Sequence, residues 1–116
     1  PVTQVPAAAF DPAICPRLVV KIGSSLLVDG AGAVRSQWLA GVVADLAARR
    51  AAGQQIVIVS SGAIALGARR LGLEKGGRAS LEDAQAAAAV GQVALAGVWE
   101  KLLAEQGLTA AQVLLT

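Results

Sequence analysis

The chain has 116 residues, 55% of them hydrophobic, 16% charged and 3% aromatic, with a net charge of +2. That length suits one small domain or half of a larger one, and the apolar content suits a sizeable buried core. Histidine is absent, which excludes a histidine base and a histidine-built metal centre from this chain.

The basic residues are scattered as Arg49-Arg50, Arg69-Arg70, Lys75 and Arg78, with acids between them and no interleaved aromatics. No nucleic-acid partner is expected from that pattern. Cys15 is the only cysteine, so no internal disulfide can form, and a reducing cytosol is the expected setting. Residues 1–16 lack the basic start and apolar core of a signal peptide. They read as a disordered leader, with Cys15 an incidental thiol. The most apolar stretch, 84–98, is interrupted by Gln85, Gln92 and two glycines. It falls short of a membrane span, and no membrane partner is expected.

Residues 17–22 read as a first strand, a short β-branched run of the kind found in buried parallel sheets. Gly23 to Gly32 reads as a loop, with a small hairpin or helical turn near Leu26 to Asp29. A helix is predicted over 35–52, because Leu39, Val42, Val43 and Leu46 recur on one face. Arg49 and Arg50 suit its last turn and Gly53 its stop. Residues 55–60 read as a second strand, parallel to the first through a helical crossover. A shorter helix is predicted from about Gly62 to Leu71, stopped by Gly72. Residues 74–79 form a polar loop. Ser80 to Asp83 then resembles a capping box that opens a long helix ending at Gly107. Residues 112–116 read as a third strand. A sheet stopped there keeps an open edge, so further protein after Thr116, or pairing with another chain, is expected.

The chemistry concentrates at the two strand ends. In open α/β sheets ligands bind outside the carboxyl ends of the strands, so both junctions should face one crevice. Lys21 ends the first strand. Its ammonium either lies over a polyphosphate or simply reaches water from an edge strand. Gly23, Ser24 and Ser25 offer consecutive backbone N–H groups, suited to an anion-binding nest. Their order relative to Lys21 is not that of a Walker A loop. Ser60-Ser61-Gly62-Ala63 opens a helix, whose amino terminus favours an anion. Ser61 reads either as a donor to a substrate carboxylate or as a plain N-cap. Without a histidine or a GxSxG elbow, a serine hydrolase is not supported. The long helix carries Ala86 to Ala89, Gly91, Ala94, Ala96 and Gly97. These small residues suit tight packing on the sheet or a subunit interface, with Trp99 as its anchor.

The segments LVVKIGSSLL (18–27), QIVIVSSGAIALG (55–67), AAVGQ (88–92) and QVLLT (112–116) together resemble the amino acid kinase family. The VSSGAIA segment points within it to the branch that phosphorylates glutamate, since acetylglutamate and uridylate kinases usually carry a glycine-rich triplet there. The resemblance covers nearly everything from Arg17 to Thr116. It implies a three-layer α/β/α sandwich on a mostly parallel sheet, of which 17–116 would be the amino-terminal half. It implies transfer of a phosphoryl group from ATP, with Mg2+ on its phosphates, to L-glutamate, giving L-glutamyl 5-phosphate in the first step of proline biosynthesis.

By that resemblance the catalytic, phosphate-contacting lysine falls on Lys21 and the first phosphate loop on Gly23, Ser24 and Ser25. The glutamate-contacting serine falls on Ser61, with Gly62 and Ala63 beside it, and no metal ligand is placed on this chain. A homo-oligomer and feedback inhibition by proline are further family expectations. The family's second half supplies an aspartate and an asparagine at the glutamate site, a catalytic aspartate and a second lysine. None can be placed on this sequence, so the chain alone is expected to be inactive. The alternatives are a family member with a different acceptor, or a non-catalytic module that binds glutamate or proline or only dimerises.

Overall fold

The structure, a computed structural model, describes residues 11–114. Residues 1–10 of the expected leader lie outside the described residues. Within the remainder of that leader, Asp11 caps a turn, and the Gln54 side-chain amide donates to the carbonyls of Pro12 and Cys15 at 2.6 and 2.8 Å.

Strand β1 (Arg17–Ile22) pairs in parallel with β2 (Gln55–Ser60), Arg17 opposite Gln55 and Ile22 opposite Ser60. Between them lie a one-turn helix α1 (Ser24–Leu27) and the longer α2 (Ser36–Ala51). Helix α3 (Ala63–Leu71) follows β2. A short 3-10 turn over 74–77 then leads to α4 (Leu81–Glu105). The loop expected after β1 is both things the sequence allowed: α1 is the helical turn, and Val28 pairs with Val34 in an antiparallel bridge.

Each local signal has a visible cause. Leu39, Val43 and Leu46 are buried on one face of α2. The stops at Gly53, Gly72 and Gly107 all have positive φ, the conformation that ends a helix without a Cβ clash. The Ser80 hydroxyl accepts from the Asp83 amide at 3.1 Å, capping α4.

Side-chain alternation divides the sheet. Val20, Ile22 and Ile58 point into a core shared with Leu39 and Val43 of α2, Leu66 of α3, and Leu95, Trp99 and Leu102 of α4. On the other face Val19, Val57 and Val59 are exposed at 63%, 53% and 40%. The described residues thus supply the sheet and one helical layer of the expected sandwich.

Two expectations need correction. The first is the third strand: residues 112–114 have no strand pairing, and Leu115 and Thr116 lie outside the described residues. A strand exists through its ladder of hydrogen bonds, and this segment has no pairing neighbour among the described residues; Val113 is exposed. The second concerns the small residues of the long helix: Ala87 and Gly91 pack on α3 rather than on the sheet, whereas Ala86, Ala89 and Gly97 are exposed. A Cβ at Gly67 would land on the carbonyl of Ala87, and one at Gly91 on the carbonyl of Ala63. Reciprocal glycines let the two backbones touch. Trp99 is buried in the core, which removes it as an exposed anchor, and its indole N–H has no acceptor among the described residues.

By length and composition α4 is apolar enough to cross a membrane, with a mean hydropathy of 1.2 in its most apolar window. The interruptions at Gln85, Gln92 and the two glycines, expected to keep 84–98 short of a span, do not lower the whole helix below that level. The same composition belongs to a core helix buried along one face, which is its arrangement against α3.

Candidate phosphate and carboxylate site

The parallel register puts the ends of β1 and β2 side by side. The Ser61 amide extends the ladder by donating to the Ile22 carbonyl at 3.1 Å. The two junctions that the sequence singled out therefore meet at one edge of the sheet.

At the first junction, Lys21 is exposed on the open sheet face, opposite Val59. Gly23 is extended, with φ −72° and ψ 163°. Its conformation is open to any residue, and a Cβ there would meet nothing within 4 Å. Gly23 directly precedes a helical turn. The Gly23 carbonyl accepts from the Leu26 and Leu27 amides at 3.0 and 3.1 Å. The amides of Ser24 and Ser25, at the start of α1, have no acceptor within the helix.

At the second junction, Gly62 is the N-cap of α3, left-handed at φ 115°, and no side chain caps the helix. That removes the plain-cap reading of Ser61, whose residue is exposed. The Ser60 hydroxyl turns back onto the Ser61 carbonyl at 3.2 Å. The first amides of α3, beginning at Ala63, are left without intrahelical acceptors and carry the positive end of the helix dipole. The edge thus presents the Lys21 ammonium, two sets of amides without intrahelical acceptors and several serine hydroxyls, with Arg35 donating to the Ser25 carbonyl at 3.1 Å, a surface suited to two anions.

Sequence reasoning missed two features of this edge. Leu27 is fully buried beneath Gly62, and a Cβ on Gly62 would come within 2.6 Å of the Leu27 Cδ2. A leucine in an apolar run carries no signal of such a role. The second is Asp29, whose carboxylate accepts from the Ala31 and Ala33 amides, both at 2.9 Å. The Ala33 bond foremost, with the Ala31 bond and the nearby Arg35 and Arg69 charges, holds its carboxyl below the ordinary 3.8. Arg69 donates to the Ala31 carbonyl at 3.3 Å, tying this hairpin to α3. An Asp-Gly pair followed by small residues was the available signal.

A hollow of about 540 Å³ lined by Pro16, Arg17, Gly53 and Gln55 lies at the amino ends of the strands. It is on the edge opposite the junctions, where open α/β sheets do not place their ligands. No group of three or more Cys, Asp or Glu side chains gathers to hold a metal among the described residues.

A family model described as the amino acid kinase family matches residues 16–116. The chain belongs to the amino acid kinase family. It is 71% identical over 107 residues to a glutamate 5-kinase of Sphingopyxis alaskensis, covering 92% of this chain and 29% of that protein. It is 69% identical over 102 residues to a glutamate 5-kinase of Novosphingobium aromaticivorans, covering 88% and 27%. A glutamate 5-kinase of Zymomonas mobilis is 62% identical over 109 residues, covering 94% and 28%. The chain therefore spans less than a third of the length of these curated relatives.

Proposed function

We propose that the complete protein transfers the terminal phosphoryl group of ATP to the side-chain carboxylate of L-glutamate; the relatives it matches are named glutamate 5-kinases. The observation that carries the reading is the Ser61-to-Ile22 hydrogen bond, which holds a lysine-and-amide junction beside a hydroxyl-and-helix junction.

The chemistry asks for little more than placement. A carboxylate is already ionised and needs no protein base to become a nucleophile. It must be brought in line with a polyphosphate against their mutual repulsion. Lys21 and the amides of Ser24 and Ser25 suit the phosphates. The hydroxyl of Ser61 and the amino terminus of α3 at Gly62 and Ala63 suit the carboxylate substrate. The carboxylate oxygen forms a bond to the terminal phosphorus, the bond to the bridging oxygen breaks, and ADP leaves with that electron pair. Magnesium bound with ATP would neutralise charge on the phosphates.

The proposal carries with it a cytosolic enzyme at the head of proline biosynthesis, a homo-oligomer and feedback by proline. Support for the first is the single cysteine; the others rest on family resemblance. The test is trapping of the acyl phosphate with hydroxylamine, using protein from the complete reading frame, ATP, and glutamate, N-acetylglutamate or aspartate in parallel. Hydroxamate from glutamate alone is the expected result. Signal with another acceptor moves the substrate, and none with any of the three overturns the reading.

A further inference from the structure

We propose that Leu27 is a positioning residue that sets the separation between the phosphate-side and carboxylate-side junctions; the idea rests on the phosphotransferase reading above. Three constraints meet on this one residue. Its amide donates to the Gly23 carbonyl at 3.1 Å, and its own carbonyl accepts from the Arg35 amide at 2.9 Å. Its side chain is fully buried, in the core with Ile22 and Leu66. The end of that side chain lies directly beneath Gly62, close enough that even a methyl group there would collide with Cδ2.

The backbone of Leu27 thus belongs to the loop that faces the phosphates, and its side chain supports the residue that opens α3. One rigid, fully packed leucine spans both. The Ser61-to-Ile22 hydrogen bond holds the junctions along the sheet edge; Leu27 holds them from below. Phosphoryl transfer between two bound anions depends on their spacing, and a misplacement of about 1 Å can cost roughly 10²-fold in rate. Core packing does not deform continuously, so a well-filled contact is a suitable gauge. If the gauge loosens, a water can take the place of the carboxylate at the terminal phosphorus. Its oxygen then bonds to phosphorus as the bond to the bridging oxygen breaks, ADP leaves with that electron pair, the proton lost by the water passes to solvent, and inorganic phosphate is released in place of the acyl phosphate.

The experiment compares wild type, Leu27→Ala and Leu27→Met in protein from the complete reading frame, reading hydroxamate and ADP together. Wild type should give about one hydroxamate per ADP. Failure of wild type to phosphorylate glutamate would count against the proposed function itself. In Leu27→Ala, kcat should fall by about 10²-fold, with hydroxamate per ADP well below one. Leu27→Met keeps the volume and should stay near the wild-type ratio. Hydrogen exchange adds a readout independent of turnover: the Ser61 amide should exchange about tenfold faster in Leu27→Ala, from a weakened local opening barrier. A ratio that stays at one while activity merely tracks the folded fraction would overturn the inference. So would unchanged exchange at Ser61.

Discussion

Gly23 and Gly62 occupy corresponding places, one just beyond β1 and the other just beyond β2, yet for opposite reasons. Gly62 is confined from within, by a left-handed backbone and by Leu27 beneath it. Gly23 has an ordinary extended backbone and open space where a Cβ would be. Nothing inside the described chain requires a glycine there. A missing side chain that the fold does not need suits close approach by a ligand. Of two glycines of identical appearance in the sequence, one thus marks a folding constraint and the other open space, which the proposed function fills with a ligand.

The strongest way to break this comparison is at the cation beside Gly23. In the complete protein, Lys21→Ala should lower kcat by about 10²–10³-fold, if its charge acts on the transferring phosphoryl group. A change confined to KM would remove that role. Next come the glycines themselves. Gly62→Ala should destabilise the fold by about 1–3 kcal/mol through backbone strain and overpacking, seen as a lower Tm. Gly23→Ala should stay within about 0.5 kcal/mol of wild type while raising KM for ATP. Equal melting shifts for the two variants would erase the distinction.

Ser61→Ala should weaken glutamate binding by about 1–3 kcal/mol, the scale of a lost hydrogen bond to a charged group, with ATP affinity unchanged. Calorimetric titration of each substrate separately would show which junction the hydroxyl serves.

The smallest effect concerns the hairpin behind the first junction. The Asp29 carboxyl titrates below 3.8 in the folded chain. Its contribution to stability is therefore fully present above the ordinary value and lost as pH falls through the lower folded one. Asp29→Ala should melt slightly lower than wild type at neutral pH, and the gap should close in acid below that range. A gap that persists unchanged into acid would mean that the ionised carboxylate is not what holds the Ala31 and Ala33 amides.

Legibility followed the range of the interactions. The two strands and the helices over 36–51, 63–71 and 81–105 were readable because periodicity, caps and glycine stops act within a few residues. The candidate site was readable in outline: Lys21, Gly23, Ser24, Ser25, Ser61, Gly62 and Ala63 all gather at the ends of the two strands. Its inner support was not readable, because Leu27 differs from the other buried leucines only in what lies above it. The third strand was not legible, since Gln112 to Leu114 has strand-like composition but no partner in the described residues. The packing partner of α4 was also misjudged. Small residues signal that something approaches closely, and say nothing of whether a helix or a sheet does so.

Local chemistry in the chain by itself determined the β-α-β order, the helix boundaries and the polar, glycine-bearing junctions, because dihedral preference and hydrophobic period are properties of neighbouring residues. Only tertiary structure decided that Ser61 hydrogen-bonds to Ile22, that Gly67 and Gly91 bring α3 onto α4, and that Leu27 lies under Gly62. Those contacts join residues distant in sequence, and close packing assigns each of them one neighbour among many chemically equivalent ones.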